Sequence, residues 1–217
     1  MRARASRSGA LAVVVALGLA GLAGTARAAG PDTSYGRIDG DLSGSLGVGA
    51  TFGPREPRAA VDLRLRYLWT AGVFATYEDA PLIGAASDPR RVFATGIELR
   101  PLFLVRWLQG LEIGQPHLDL TIDSFALELG AAFVQPPGRP FGSRPGLQAG
   151  LGLQVPVLPN ATGPVIGIHG GARWSDAALS GADIVGPSDR SLYLLVTVAW
   201  QQVFGAHVVD LGDRAPR

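Results

Sequence analysis

The stretch DGDLSGSLGVGATF, residues 39–52, admits two incompatible readings. As a calcium loop it offers Asp39, Asp41 and Ser43 at loop positions 1, 3 and 5, Gly44 at 6 and Leu46 at 8. That reading fails at position 12, where Ala50 stands in place of a bidentate Glu. As a strand, the stretch puts Leu42, Leu46, Val48, Ala50 and Phe52 on one parity and Asp41, Ser43, Ser45, Gly47, Gly49 and Thr51 on the other. The strand reading accounts for the whole segment, with Asp39 and Asp41 at the entrance of the strand.

The same period-two alternation recurs along the chain and predicts an all-β fold of eight strands. Val61, Leu63, Leu65, Tyr67 and Trp69 alternate with Asp62, Arg64, Arg66 and Thr70; Val73, Ala75 and Tyr77 oppose Phe74, Thr76 and Glu78. Phe93, Ile97, Leu99, Phe103 and Val105 oppose Gly96, Glu98, Arg100 and Arg106, extending a fourth strand to about residue 106. Phe125, Leu127, Leu129 and Phe133 then face away from Glu128 and Gly130, and three further segments centred on 151, 168 and 196 repeat the pattern. Turn-forming residues separate them: GPREPR at 53–58, TAG at 70–72, DAPLIGAASDPR at 79–90, QPPGRPFGSRP at 135–145, LPNATGP at 158–164 and SDAALSGADIVGPSDR at 175–190. The fourth connection, LQGLEIGQPHL at 108–118, is long and amphipathic where a short turn is expected. A parity slip near Asp119 and Asp123 predicts a β-bulge, with these carboxylates solvating the entrance to strand five.

Residues 1–28 have the form of a secretory signal peptide: Arg2, Arg4 and Arg7, an apolar run from Leu11 to Gly24, and Ala26-Arg27-Ala28 before the expected cleavage point. The remaining 29–217 read as one domain with a short tail at about 205–217. The chain has no Cys, which rules out disulfides and thiolate metal sites, and no Lys. Removing the four leader arginines from 19 basic residues leaves 15 against 18 acidic ones, a formal charge of −3 that gives no reason to expect nucleic-acid binding. No cofactor is expected, because no pair of His117, His169 and His207 has metal-ligand spacing.

Only 17% of the residues are charged, well below the roughly 25 to 35% of a soluble surface. The polar parity is small and sparse, rich in Gly47, Gly49, Gly96, Gly130, Gly150, Gly152 and Gly171. It makes a poor solvent surface but packs inside a narrow barrel. An Arg turned to a bilayer midplane costs about 2 to 4 kcal/mol, so in a membrane barrel the arginine-bearing parity must face inward. The expected lumen network is Asp62, Arg64, Arg66, Glu98, Arg100, Glu128, His169 and Arg173, which fills the interior and disfavours a wide pore. Phe52, Trp69, Tyr77, Phe93, Trp107, Phe133, Trp174 and Phe204 lie near strand ends, where interfacial girdles of a membrane barrel fall.

With these features the chain, over about residues 35–204, resembles the small eight-stranded outer-membrane β-barrels of Gram-negative bacteria and is similar to the outer membrane protein A transmembrane domain. The resemblance implies an up-and-down antiparallel transmembrane barrel in the cell outer membrane, with both termini periplasmic. It also implies outer-membrane lipids as partners, and a structural or surface-interaction role through the loops at 79–90, 135–145 and 175–190. Such barrels commonly end on an aromatic residue; here Trp200 and Phe204 are followed by GAHVVDLGDRAPR. Some small barrels of this kind modify lipids, and His169 with Glu98, Glu128 and Arg173 nearby invites a Ser/His/Glu reading. Gly171 stands where a Ser would be wanted, so no catalytic residue is assigned and a non-enzymatic protein is expected. The alternatives are a secreted or periplasmic soluble β-barrel binding an apolar ligand and, third, an outer-membrane lipid-modifying enzyme.

Overall fold

Eight strands of 9 to 15 residues pair antiparallel with their sequence neighbours, and the last closes onto the first. In this computed structural model they are β1 (Leu42–Phe52), β2 (Arg58–Tyr67), β3 (Ala71–Pro81), β4 (Arg91–Leu99), β5 (Ala126–Gln135), β6 (Gly146–Pro156), β7 (Gly163–Trp174) and β8 (Arg190–Phe204). The structure describes residues 35–54, 57–81, 89–136, 138–181 and 190–206. The leader at 1–28, most of the tail including His207, and parts of the connections at 79–90 and 175–190 lie outside the described residues. The fold is a closed, up-and-down antiparallel barrel, with strands of the length a tilted membrane crossing needs, about 9 to 11 residues or more. Among the described residues no helix is long and apolar enough to cross a membrane.

Because successive strand residues point to opposite faces, the opening segment sets the rest of the register. Ser43, Ser45 and Thr51 are buried, while Leu42, Leu46, Val48 and Ala50 turn out. Leu46 pairs with Leu63 on β2 and with Trp200 on β8, so apolar side chains meet on the outside all the way around the β8–β1–β2 seam.

Gly96 on β4 faces Gly130 on β5, and the two backbones approach so closely that a Cβ on Gly96 would lie 2.2 Å from the Leu129 carbonyl oxygen. No rotamer change relieves a clash with backbone. The glycine is there because the strands must come together at that point.

The fourth connection departs from the sequence reading. Strand four ends at Leu99, and Phe103, Val105 and Arg106 are helical: α1 spans Pro101–Gln109 and α2 spans Pro116–Asp123. Each helix has Pro in its first turn, where the missing N–H costs nothing, and α1 stops at Gly110, whose left-handed φ of 62° lets its N–H reach the Arg106 and Trp107 carbonyls. The expected bulge at Asp119 and Asp123 is absent; both carboxylates are on α2 and fully buried. An alternating apolar pattern only a few residues long cannot by itself tell a strand from a helical turn, which is why the helix was read as strand. A one-turn helix, α3 (Asp176–Leu179), begins the connection after β7, with the Ser175 side chain capping the Ala178 N–H.

An even number of strands puts the start of β1, the end of β8 and the α1–α2 hairpin at one mouth of the barrel. The ends of β1, β3, β5 and β7 lie at the other.

Substituting Gly96 by Ala should abolish the folded, heat-modifiable band on a semi-native gel. Gly170→Ala, on the outer face where the nearest atom to a new Cβ is 3.6 Å away, should leave that band intact.

Candidate functional site in the barrel lumen

The lumen holds a column of buried ion pairs. Arg58, Arg64, Arg66, Arg100 and Arg173 share the buried interior with Asp62, Glu78, Glu98 and Glu128, all at most 9% exposed. In the central layer Arg64 donates through Nε to Asp62 at 2.6 Å and through Nη1 to Glu98 at 2.7 Å and Glu128 at 2.5 Å. Glu98 and Glu128 are register partners on β4 and β5, so Arg64 reaches across from β2 to neutralise two like charges that stand side by side. Thr76 donates to Asp62 at 2.8 Å, and His169 on β7 shares a hydrogen bond with Glu128 through Nδ1 at 2.7 Å.

Below this layer Arg66 donates to Glu98 and, through Nη1, to Gln201 at 3.2 Å, while Arg100 donates to Gln154 at 2.6 Å and stacks on Trp69 at 4.9 Å. Above it Arg173 and Arg58 share Glu78 at 2.6 and 2.9 Å; Arg173 also donates to Gln148 at 2.6 Å and lies 4.1 Å over Tyr193. With Arg66 Nη1 also donating to Ser45 on β1 at 3.4 Å, the column joins all eight strands, and the small residues make room for it. A Cβ on Gly152, for example, would lie 2.5 Å from His169 Nδ1 and 2.7 Å from Glu128 Oε1.

All eight residues singled out from sequence face this interior. Glu78, Arg58, Gln148, Gln154 and Gln201 were missed; the parity that selected the others carries the same signal for them.

At the mouth that holds the start of β1 and the end of β8, the α1–α2 hairpin forms a second cluster of charges. Arg37 pairs with Asp123 and, at 2.7 Å, with Glu112; Arg106 pairs with Asp119 and, at 2.6 Å, with Asp123. Asp119 also accepts the N–H groups of Ile113 at 2.9 Å and Gly114 at 3.0 Å, and the Tyr35 hydroxyl at 3.2 Å. Burial pushes the Asp119 carboxyl up, but those amide donors together with the Arg106 guanidinium outweigh it, and the net shift is downward. Between this cluster and the ionic column lies an apolar layer of Trp69, Phe103, Leu120, Ala161 and Val203. Ser124 Oγ ties the end of α2 to β6 by donating to the Gln154 carbonyl at 2.8 Å and accepting its N–H at 2.7 Å.

One aromatic assignment needs correction. Trp69 is only 3% exposed and is no interfacial residue. Leu68 and Trp69 both have positive φ, 45° and 59°, in a two-residue hairpin turn closed by Thr70 N–H to the Tyr67 carbonyl at 3.0 Å. That turn breaks the strand parity and swings the indole beneath the lumen, where Arg100 and Phe103 receive it. Trp107 is exposed, but on α1 and not at the end of a strand. Phe52 and Phe204 are exposed on the outer face, Tyr77, Phe93, Phe133 and Trp174 are partly exposed, and Phe93 stacks with Phe133 at 6.2 Å across β4 and β5.

His169 is 2% exposed, and its Nε2 has no hydrogen-bond partner among the described residues. The nearby hydroxyl is a threonine: the position of a Cβ on Gly167 is flanked by Thr197 Oγ1 at 2.5 Å and His169 Nε2 at 3.0 Å. No Ser completes a triad with Glu128 and His169. Among the described residues no group of three or more His, Asp or Glu side chains is placed to hold a metal ion.

No protein-family model matches the chain, and no curated protein does. Among solved structures, the chain is similar to Ail, the attachment invasion locus protein of Yersinia pestis, in complex with the heparin analogue sucrose octasulfate. Identity is 12%, with 74% of this chain and 96% of that chain covered, at a TM-score of 0.33. A likeness of that degree carries no argument about function.

Arg64→Met should destabilise the barrel by about 3 to 5 kcal/mol, because Glu128 and Asp62 lose their guanidinium partner and Glu98 keeps only Arg66 and Arg100. Adding Glu98→Gln should recover part of the loss, both measured by urea unfolding in lipid vesicles. The depressed Asp119 pKa stabilises the docked hairpin fully above its unfolded value, about pH 3.9, and that contribution is lost as pH falls through the lower folded value. Amide protection factors over residues 101–123, taken relative to the intrinsic exchange rate at each pH, should therefore fall below about pH 4 and stay flat from there to neutrality.

Proposed function

We propose that this protein is an integral outer-membrane barrel whose lumen is closed by its own ion pairs and which acts as a structural or surface-interaction protein through its outer loops. The reading rests on one observation: polarity is inverted relative to a soluble protein. Charged side chains fill the interior, while Leu63, Val73, Ile97, Leu129, Leu151 and Val198 on six different strands are each more than half exposed on the outside. Isolated exposed leucines are ordinary, but a continuous apolar belt around a barrel is a surface for lipid.

With both termini periplasmic, the turn at Leu68–Trp69 and the turn after β6 face the periplasm together with the α1–α2 hairpin. The connections at 79–90, 135–145 and 175–190 face outward, where a partner meets them. Residues 1–28 serve as the export signal in this reading. The column of Arg64, Arg66 and Arg100 above the apolar layer at Phe103 and Leu120 supports a plugged lumen and no open diffusion path. A soluble barrel holding an apolar ligand needs an empty apolar lumen, and here that volume holds salt bridges. For the enzymatic alternative, the Glu128–His169 pair lies within the same packed column and has no serine beside it.

Cell fractionation tests the proposal. The protein should sediment with outer membranes, migrate differently when boiled, and give no steady conductance in planar bilayers. Recovery as a soluble periplasmic protein would overturn it.

A further inference from the structure

Helix α1, PLFLVRWLQ, turns almost none of its surface to the protein. Phe103 is its only buried residue, and Arg106 is drawn inward by Asp119 and Asp123. Leu102, Leu104, Val105, Trp107 and Leu108 are exposed, Leu108 at 69%, and they are followed in the loop by exposed Leu111 and Ile113. A helix facing water has a polar face opposite its buried stripe. This one has an apolar face there, and its one basic residue is committed to the plug.

The position of the helix names what covers that face. Pro101 is two residues beyond Leu99, the last outward side chain of β4, and the Arg100 N–H holds the helix start to the barrel rim by donating to the Thr70 carbonyl at 2.6 Å. Leu99 pairs with Leu127 on β5, and both are exposed at this end, beside Ile97 and Leu129. The apolar surface of α1 is therefore continuous with the lipid belt of the two strands it joins, and Trp107 supplies the kind of side chain that settles at headgroup depth.

We propose that α1 is an interfacial helix, lying in the inner leaflet of the outer membrane with Leu104, Val105 and Leu108 among phospholipid acyl chains. The hairpin then has two roles: α2 closes the lumen with its carboxylates, and α1 anchors that closure to the bilayer. The proposal rests on the outer-membrane reading above.

The chain has no Cys, so single cysteines report individual positions. Leu104→Cys, Val105→Cys and Leu108→Cys, each spin-labelled, are compared with Leu129→Cys on the belt and Ser143→Cys in an exposed loop. All are measured in phosphatidylethanolamine/phosphatidylglycerol vesicles after a semi-native gel has confirmed folding; three exposed sites on α1 keep the test alive if one variant misfolds. The α1 labels should collide with oxygen as often as the label at 129, and with a water-soluble nickel chelate several-fold less often than the label at 143. If they collide with nickel as the label at 143 does while the label at 129 reports lipid, the interfacial helix is wrong and the barrel stands. Shielding of the α1 labels from both reagents means that protein, a second copy included, covers the helix, and also overturns the proposal. If the label at 129 reports water as well, the membrane reading itself has failed.

Discussion

Glu98 and Glu128 stand opposite each other on adjacent strands in the middle of a packed lumen, and the guanidinium of Arg64 bridging them is the interaction on which the closed barrel depends. Two carboxylates at that separation, away from water, cannot both stay ionised without a cation between them. Arg suits the position because its planar fork donates in several directions at once, here to Asp62, Glu98 and Glu128, which belong to three different strands. The cross-links run through the interior, and the charges on the described outer face, Asp79, Arg91 and Arg190, lie at one rim. Desolvating these ions is expensive, and the cost is offset only because nearly every charged group meets an opposite charge or an amide.

The same logic recurs at the mouth where β1 begins and β8 ends, with different secondary structure. Asp119 and Asp123 are four residues apart on α2 and so share one face, which they turn onto Arg106 of α1 and Arg37 of the segment before β1. Trp69, Phe103 and Leu120 separate this cluster from the luminal column. A charged column, an apolar layer and a second charged cluster thus follow one another along the barrel. The arrangement also links three segments distant in sequence, 35–37, 101–123 and the turn at 68–69.

Strand number, inward parity and the luminal charges were legible because each follows from a period of two sustained over about ten residues, as in Leu42–Phe52 and Arg58–Tyr67. The helical hairpin was not, since Phe103, Val105 and Arg106 continue the parity of β4 for a few residues before the helical period shows. Better signals were present: Pro101 and Pro116 suit first helical turns, Gly110 suits a left-handed cap, and Asp119 with Asp123 has helical spacing. Trp69 was misplaced because parity stops at a two-residue turn whose residues take positive φ, and neither Leu68 nor Trp69 advertises such a turn as Asn-Gly would. Which glutamate meets which arginine depends on strand stagger, which alternation does not encode.

The central claim is that the barrel is apolar outside and ionic inside. The most direct measurement is a methyl-resolved NOE spectrum of the barrel in lipid nanodiscs. The account predicts cross-peaks from acyl-chain methylenes to the outward methyls of Leu63, Leu129 and Leu151, and none from lipid to the inward methyls of Thr76 and Thr197. Water cross-peaks at those leucines, or lipid cross-peaks at those threonines, would contradict it.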